Sequence, residues 1–226
     1  NEEASCNSQV VSIATGATLD ELVKQVKLMH RQKRADGFII LYSETKDPVK
    51  DYLLKEKVPF VVIGAAVDNT NKVTYIDNDN KAIGQEAVFY LNSRGHQTIG
   101  FVTDDLFGQV GQERYQGYKD AVSELHIESL PELVFSSQTI DSFKKHLRTF
   151  LPTALVVKDD LVALRLIQWV NNQGIKIPKD YSIISINNSS FAEIMHPFLT
   201  TYDINIQELG KESVRKLVAI LKDENT

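Results

Sequence analysis

Short apolar runs and amphipathic stretches alternate along the whole chain. "QVVSIA" (9–14) reads as a strand, and "TLDELVKQVKLMHRQ" after it as a helix. Leu19, Leu22, Val23, Val26 and Met29 recur at helical spacing on one face. Thr18 with Glu21 three residues on is a capping-box pattern that fixes the start. "GFIIL" (37–41) is a wholly apolar strand. Asp47-Pro48 then supplies a cap and a first-turn proline, where the missing N–H costs nothing. "PFVVIG" (59–64) and "KVTYI" (72–76) are further strands, and a helix over 79–94 ends at Gly95.

The rhythm continues with strands at 98–103, 132–135, 153–157 and 181–186. Helices are expected at 112–125, 139–150 and 159–173, the last closed by Gly174. "FLTTYDI" (198–204) crosses to a final helix over 206–222. Short apolar strands alternating with amphipathic helices predict an α/β fold with parallel sheets covered on both faces. The number of units exceeds what one doubly wound domain needs. The pattern leaves one sheet or two open, since no Gly/Ser-rich linker marks a boundary.

Composition narrows the function. With 226 residues, 42% of them hydrophobic, the chain can bury a sizeable core. A formal net charge of -5 lacks the global electrostatics of a nucleic-acid binder. No apolar run is long enough to span a bilayer. The opening "NEEASCNSQ" is not a signal peptide, although a mature exported chain would already have lost one. Cys6 is the only cysteine, which excludes an intrachain disulfide and a thiolate cluster and favours a reducing compartment.

Catalytic and cofactor patterns are missing. There is no phosphate loop, and "FGQVGQE" lacks both the lysine and the dinucleotide spacing. There is no G-x-S-x-G elbow. The five histidines are scattered without metal-ligand spacing. Asp104-Asp105 and Asp159-Asp160 are adjacent pairs whose members point different ways, so neither alone makes an acid/base couple. The expectation is a non-enzyme without metal or cofactor.

In open α/β sheets, ligands sit at the carboxyl ends of strands. Here those positions are Ser43 and Glu44, Asp77 to Asp79, Asp104 to Gly111, Lys158 to Asp160, and Asn187 to Ser190. Such polar, acid- and amide-rich ends suit a ligand made of hydroxyl groups.

Eight segments, in order, resemble the effector-binding core of the LacI/GalR family of bacterial transcription regulators. They are "RADGFIIL", "VPFVVIG", "YIDNDN", "RGHQTIGFV", "ERYQGYKDAV", "DDLVAL", "IPKDYSIISINN" and "HPFLTTYDINIQELG". The resemblance implies two side-by-side parallel-sheet subdomains of periplasmic-binding-protein type, joined by crossovers, with the ligand in a cleft. On this chain that puts the first subdomain at 1–77 plus 205–226 and the second at 78–204. The family's DNA-binding headpiece, first core strand and closing strands have no counterpart in the sequence.

The resemblance also implies site residues. Arg114 becomes a guanidinium fork aimed at sugar hydroxyls, where local sequence alone allows a solvated arginine at a helix start. Asp160 becomes a ligand acceptor, with Asp159 either helix cap or ligand contact. Asn187 stands where relatives often carry an aspartate. Asp77 and Asn78 are ligand contacts or a hinge turn; Phe107 is a sugar-stacking ring or loop packing. Trp169 reads as core, and Lys24, Lys27, Arg31 and Arg34 as a solvated basic stripe or a partner surface.

"INNSSFAEIMHP" resembles the maltose-operon repressors of low-GC Gram-positive bacteria in particular. The implied protein is a cytoplasmic, sugar-responsive repressor core that responds to maltose or a related α-glucoside. Its partners would be a second copy in a homodimer, operator DNA through a separate headpiece and, as in some relatives, a phosphocarrier co-repressor. No membrane is expected. An exported sugar-binding protein of a transporter is the competing expectation.

Overall fold

The computed structural model describes residues 2–41, 46–66, 72–104, 108–196 and 198–223. Ser43, Glu44 and Phe107 lie outside the described residues. The chain divides into two compact units, Asn1–Asn78 with Ile206–Thr226, and Asp79–Asn205.

The first unit contains α1 (Glu2–Cys6), α2 (Leu19–Arg31), β1 (Phe38–Ile40), α3 (Pro48–Glu56), β2 (Phe60–Ile63), β3 (Thr74–Ile76) and α9 (Ile206–Asp223). Its parallel sheet runs β1-β2-β3, with Ile39 opposite Val61 and Val62 opposite Tyr75. The caps form as their residues dictate. Thr18 accepts from the Glu21 amide at 3.2 Å, while Glu21 accepts from the Ala17 amide at 2.9 Å. Asp47 accepts from the Val49 and Lys50 amides at the start of α3. Val26, Val49, Leu53, Phe60 and Val62 form one core cluster, and Leu217 of α9 joins Val61 and Ile76 in another.

One expected strand does not form. Residues 9–14 carry no regular structure, and Val10 and Ile13 are 91% and 85% exposed. A β-branched run becomes a strand only beside another strand. Among the described residues β1 pairs with β2 alone, and the run at 9–14 does not add to its free edge.

The second unit contains α4 (Asn80–Ser93), β4 (Ile99–Thr103), α5 (Gln109–Glu124), β5 (Leu133–Val134), α6 (Ile140–Phe150), β6 (Ala154–Val157), α7 (Asp160–Asn172), β7 (Ser182–Ile186), α8 (Ser190–Ile194) and β8 (Thr200–Tyr202). All neighbours in its sheet, β5-β4-β6-β7-β8, are parallel. β4 and β6 are buried along their whole length, the mark of strands covered on both faces. Trp169 packs against Phe135 and Phe143 in one of the two cores, so it is a core residue. α5 begins three residues earlier than the spacing predicts, which moves Arg114 from the helix start into its second turn.

Tyr118 ties the other core together. Its ring is fully buried; its hydroxyl donates to the Ile99 carbonyl at 2.8 Å and accepts from the Leu130 amide at 3.1 Å. Burial pushes this phenol up to about 12. The folded value lies above the ordinary ~10, so the stabilisation is complete below that pH and fades as pH rises through 12. A rise from ~10 to about 12 corresponds to at most about 2.7 kcal/mol. Denaturant midpoints should therefore be insensitive to this group up to pH 9 and fall above pH 10. Tyr118→Phe should remove that part of the decline. An unchanged alkaline slope in the variant would show that Tyr118 does not contribute.

Candidate functional site

The polar residues of the second unit gather at the carboxyl ends of β4, β6 and β7. Three features bring Arg114 there. α5 carries it in its second turn, and α4 packs on α5 almost backbone to backbone. A Cβ on Gly117 would overlap the Lys81 carbonyl oxygen, and one on Gly84 the Arg114 carbonyl oxygen. Only glycine permits that approach. The close packing puts Asn80, the first residue of α4, beside the guanidinium.

Arg114 is 5% exposed, and each of its nitrogens has a partner. Nε donates to Asn80 Oδ1 at 3.0 Å, Nη1 to the Lys158 carbonyl at 2.5 Å, and Nη2 to Asn187 Oδ1 at 3.3 Å. The planar fork thus spans the end of β6, the end of β7 and the start of α4, a set of directions that a lysine could not satisfy.

Around it lies a chain of ion pairs. Lys158 Nζ contacts Asp104 Oδ1 at 2.6 Å and approaches Asp159 Oδ2 at 3.9 Å, while Arg165 Nη1 lies 3.5 Å from Asp104 Oδ2. Asp159 caps α7 by accepting from the Val162 amide through Oδ1. That leaves Oδ2 on the Lys158 side.

Asp160, expected from the resemblance as a ligand acceptor, is bonded within the fold. It is 1% exposed, and both oxygens are engaged within the fold. Oδ1 accepts the hydroxyls of Ser185 at 2.5 Å and Thr201 at 2.7 Å. Oδ2 accepts the Ser189 amide at 2.6 Å and the Ser189 hydroxyl at 2.7 Å. A carboxylate has about four acceptor directions, and here four donors take them. These bonds tie Asp160 into the scaffold of the site, and Asp159 is the more accessible acid of the pair.

Asn187 sits just past β7 with φ 128, and Asn188 follows with φ 51. A non-glycine residue at φ 128 is strained, and such strain concentrates where a side chain must be aimed. The Asn187 amide donates to the Tyr202 carbonyl at 2.9 Å. Its side chain faces Arg114; no contact with Asp160 is present. Ser189 stands at the N-cap of α8, but its hydroxyl is diverted to Asp160 and makes no cap bond.

Asp77 and Asn78 belong to the first unit, where Asp77 Oδ1 accepts from the Asn78 amide at 2.8 Å. The structure thus brings Arg114, Asp159 and Asn187 to the strand ends of the second unit, while Asp77 and Asn78 belong to the first. Sequence reasoning placed Lys158 and Ser189 among the strand-end positions but missed Asn80, Ser185 and Thr201 as residues that hold the site. The one visible signal was Ser185, a polar break in the otherwise apolar "IISI". The basic stripe of α2 lines a shallow groove in which Lys27, Arg31 and Lys55 are balanced by Asp51 and Glu56, as on a solvated face. Among the described residues no cluster could hold a metal ion, and no helix is long and apolar enough to cross a membrane.

Known proteins resemble this chain over nearly its whole length. The family model described as periplasmic binding protein-like domain matches residues 88–226. The regulator MalR of Staphylococcus xylosus is 28% identical over 95% of this chain and 64% of its own length. The repressor PurR of Aliivibrio salmonicida is 29% identical over 97% of this chain and 68% of its own. The chain thus spans about two thirds of the curated relatives it matches. The crystal structure of a LacI transcriptional regulator from Bacillus cereus subsp. cytotoxis is 32% identical. It covers 100% of this chain and 82% of its own, with a TM-score of 0.85. These relatives are transcriptional regulators rather than enzymes. Sequence, topology and the matched domain agree: the chain belongs to the periplasmic binding protein-like domain family, in its LacI-type regulator branch.

Proposed function

We propose that the chain is the effector-binding and dimerisation core of a cytoplasmic, sugar-responsive transcriptional repressor, with maltose or a related α-glucoside as effector. One observation carries this reading: a buried guanidinium at the strand ends, bonded to the side-chain oxygen of Asn187 and to the carbonyl of Lys158, the residue before Asp159. A donor-only fork, an amide that donates and accepts, and an acceptor-only acid suit the hydroxyls of a neutral polyol. The maltose-repressor resemblance of "INNSSFAEIMHP" supports an α-glucoside as effector.

Dimerisation is supported by an apolar surface on the second unit. Leu161, Phe191, Ile194 and Phe198 are exposed, Ile194 by 71% and Phe198 by 69%. Bonds from Ser189 to Asp160 and from Leu199 to Ala192 keep α7, α8 and the 198–199 segment adjacent. Exposed large apolar side chains on adjacent elements suit a protein interface. A net charge of -5 does not favour DNA, so operator binding falls to a separate headpiece. Sugar and operator would then oppose one another reciprocally by the same coupling free energy.

Calorimetric titration with maltose, cellobiose and ribose tests the reading. Saturable heat is expected with maltose and none with ribose. A folded sample silent to all three sugars would refute the sugar assignment.

A further inference from the structure

We propose that Asp160 is the positioning residue that holds Asn187 in its binding conformation. This rests on the effector-site reading above, and deepens it by naming what fixes the site's geometry.

Asn187 is bracketed. Two residues before it, Ser185 donates to Asp160 Oδ1; two residues after it, Ser189 donates to Oδ2 through both amide and hydroxyl. The flanking strand is tied to the same carboxylate through Thr201, whose hydroxyl oxygen also accepts the Asn188 amide at 3.1 Å. One buried anion therefore fixes the chain on both sides of the residue at φ 128. A backbone in that region persists only where its surroundings over-determine it. The Asn187 amide on the Tyr202 carbonyl and Asn188 Nδ2 on Asp203 Oδ2 at 3.2 Å hold the turn from the β8 side, whereas the Asp160 carboxylate is bonded on both sides of Asn187, and α8 has no side-chain cap of its own because Ser189 serves Asp160. The clamp keeps Asn187 Oδ1 on Arg114 Nη2, and with it the direction of the amide. Asp160 thus acts on ligand recognition through Asn187 without touching the ligand.

The test has a ligand-free arm and a maltose arm. Asp160→Asn keeps volume but turns one acceptor oxygen into a donor. The hydroxyls of Ser185 and Thr201 can rotate to accept from it, so the fold should survive with a looser clamp. In nuclear magnetic resonance spectra of the intact chain, the Asn187 shifts and its HN–Hα coupling should move toward ordinary turn values. Resonances of Phe101 and Leu155 in the sheet core should stay in place. Ser189→Ala, which removes one contact, should move Asn187 the same way by less, and it decides the matter if Asp160→Asn does not fold. Unchanged Asn187 signals in the folded variants overturn the proposal.

In the maltose arm, Asp160→Asn should weaken binding about tenfold when Asn187 is present and less than about twofold in the Asn187→Gly background, since coupled residues are not additive. Equal losses in both backgrounds would mark a merely structural role and overturn the proposal. Absence of maltose binding by the unmodified chain counts against the sugar reading, and the spectroscopic arm then decides the role of Asp160 by itself.

Discussion

Gly117→Ala should lower the melting midpoint of the second unit by roughly 10 °C. A methyl group at Gly117 meets the Lys81 carbonyl oxygen, and the Gln85 amide nitrogen lies 3.0 Å from the same Cβ position. Both are helix backbone, so no side chain can turn aside. α4 and α5 must separate, which also draws Arg114 away from Asn80. Two effects oppose each other. Alanine gains about 1 kcal/mol of helix propensity over glycine. Overpacking against backbone costs about 3 kcal/mol or more, at the upper end of its usual range. The clash prevails by about 2–3 kcal/mol, which for a domain of this size is several to ten degrees. Gly210→Ala is the control. Gly210 lies within α9 with nothing within 4 Å of an added Cβ. That substitution should leave the first unit unchanged or raise its stability by up to about 1 kcal/mol. Circular dichroism melts of both variants decide it; a Gly117→Ala melt within two degrees of the parent would refute the backbone clash.

Local signals explain which parts of the fold were legible. Capping at Thr18 and Asp47, the glycine stop at Gly95 and the apolar run at 98–103 each depend on a few neighbouring residues. Such features survive in the sequence because their physics is local. The run at 9–14 misleads for the opposite reason. Its β-branched residues meet the composition of a strand, but pairing is decided by chain far away. β8 is the converse case: a short, polar "TTY" becomes a strand because Ile184, Ser185 and Ile186 of β7 lie beside it.

The site was legible in its residue types and obscure in its roles. Asp159 and Asp160 are adjacent acids at one helix start, and both look like caps or ligands. Backbone geometry separates them. Asp159 is extended, with φ -157, and turns its carboxylate onto Val162; Asp160 is already helical and points into the sheet. Its partners lie 25, 29 and 41 positions away, beyond any motif. The same holds for Arg114. One of its acceptors is a backbone carbonyl, which leaves no trace in a side-chain pattern, and Asn80 is 34 positions upstream.

Arg114→Ala should abolish sugar binding altogether, a loss of at least about a hundredfold, or ~3 kcal/mol. The expectation follows from what the guanidinium holds as well as from what it would donate. Its removal leaves Asn80 Oδ1, the Lys158 carbonyl and Asn187 Oδ1 without this donor at a largely buried position. Each hydrogen bond to a charged group is worth about 1.5–3 kcal/mol, so stability of the second unit should fall as well. Arg114→Lys separates charge from geometry. An ammonium keeps the positive charge but offers one point where the fork reaches three acceptors in three directions. If planarity is what matters, the lysine variant should lose nearly as much affinity as the alanine variant while regaining part of the stability. If charge alone attracts the ligand, it should bind within about threefold of the parent. Calorimetry with maltose, set beside denaturant melts of the same three proteins, tells the two apart. Retention of full affinity by folded Arg114→Ala would remove Arg114 from the site.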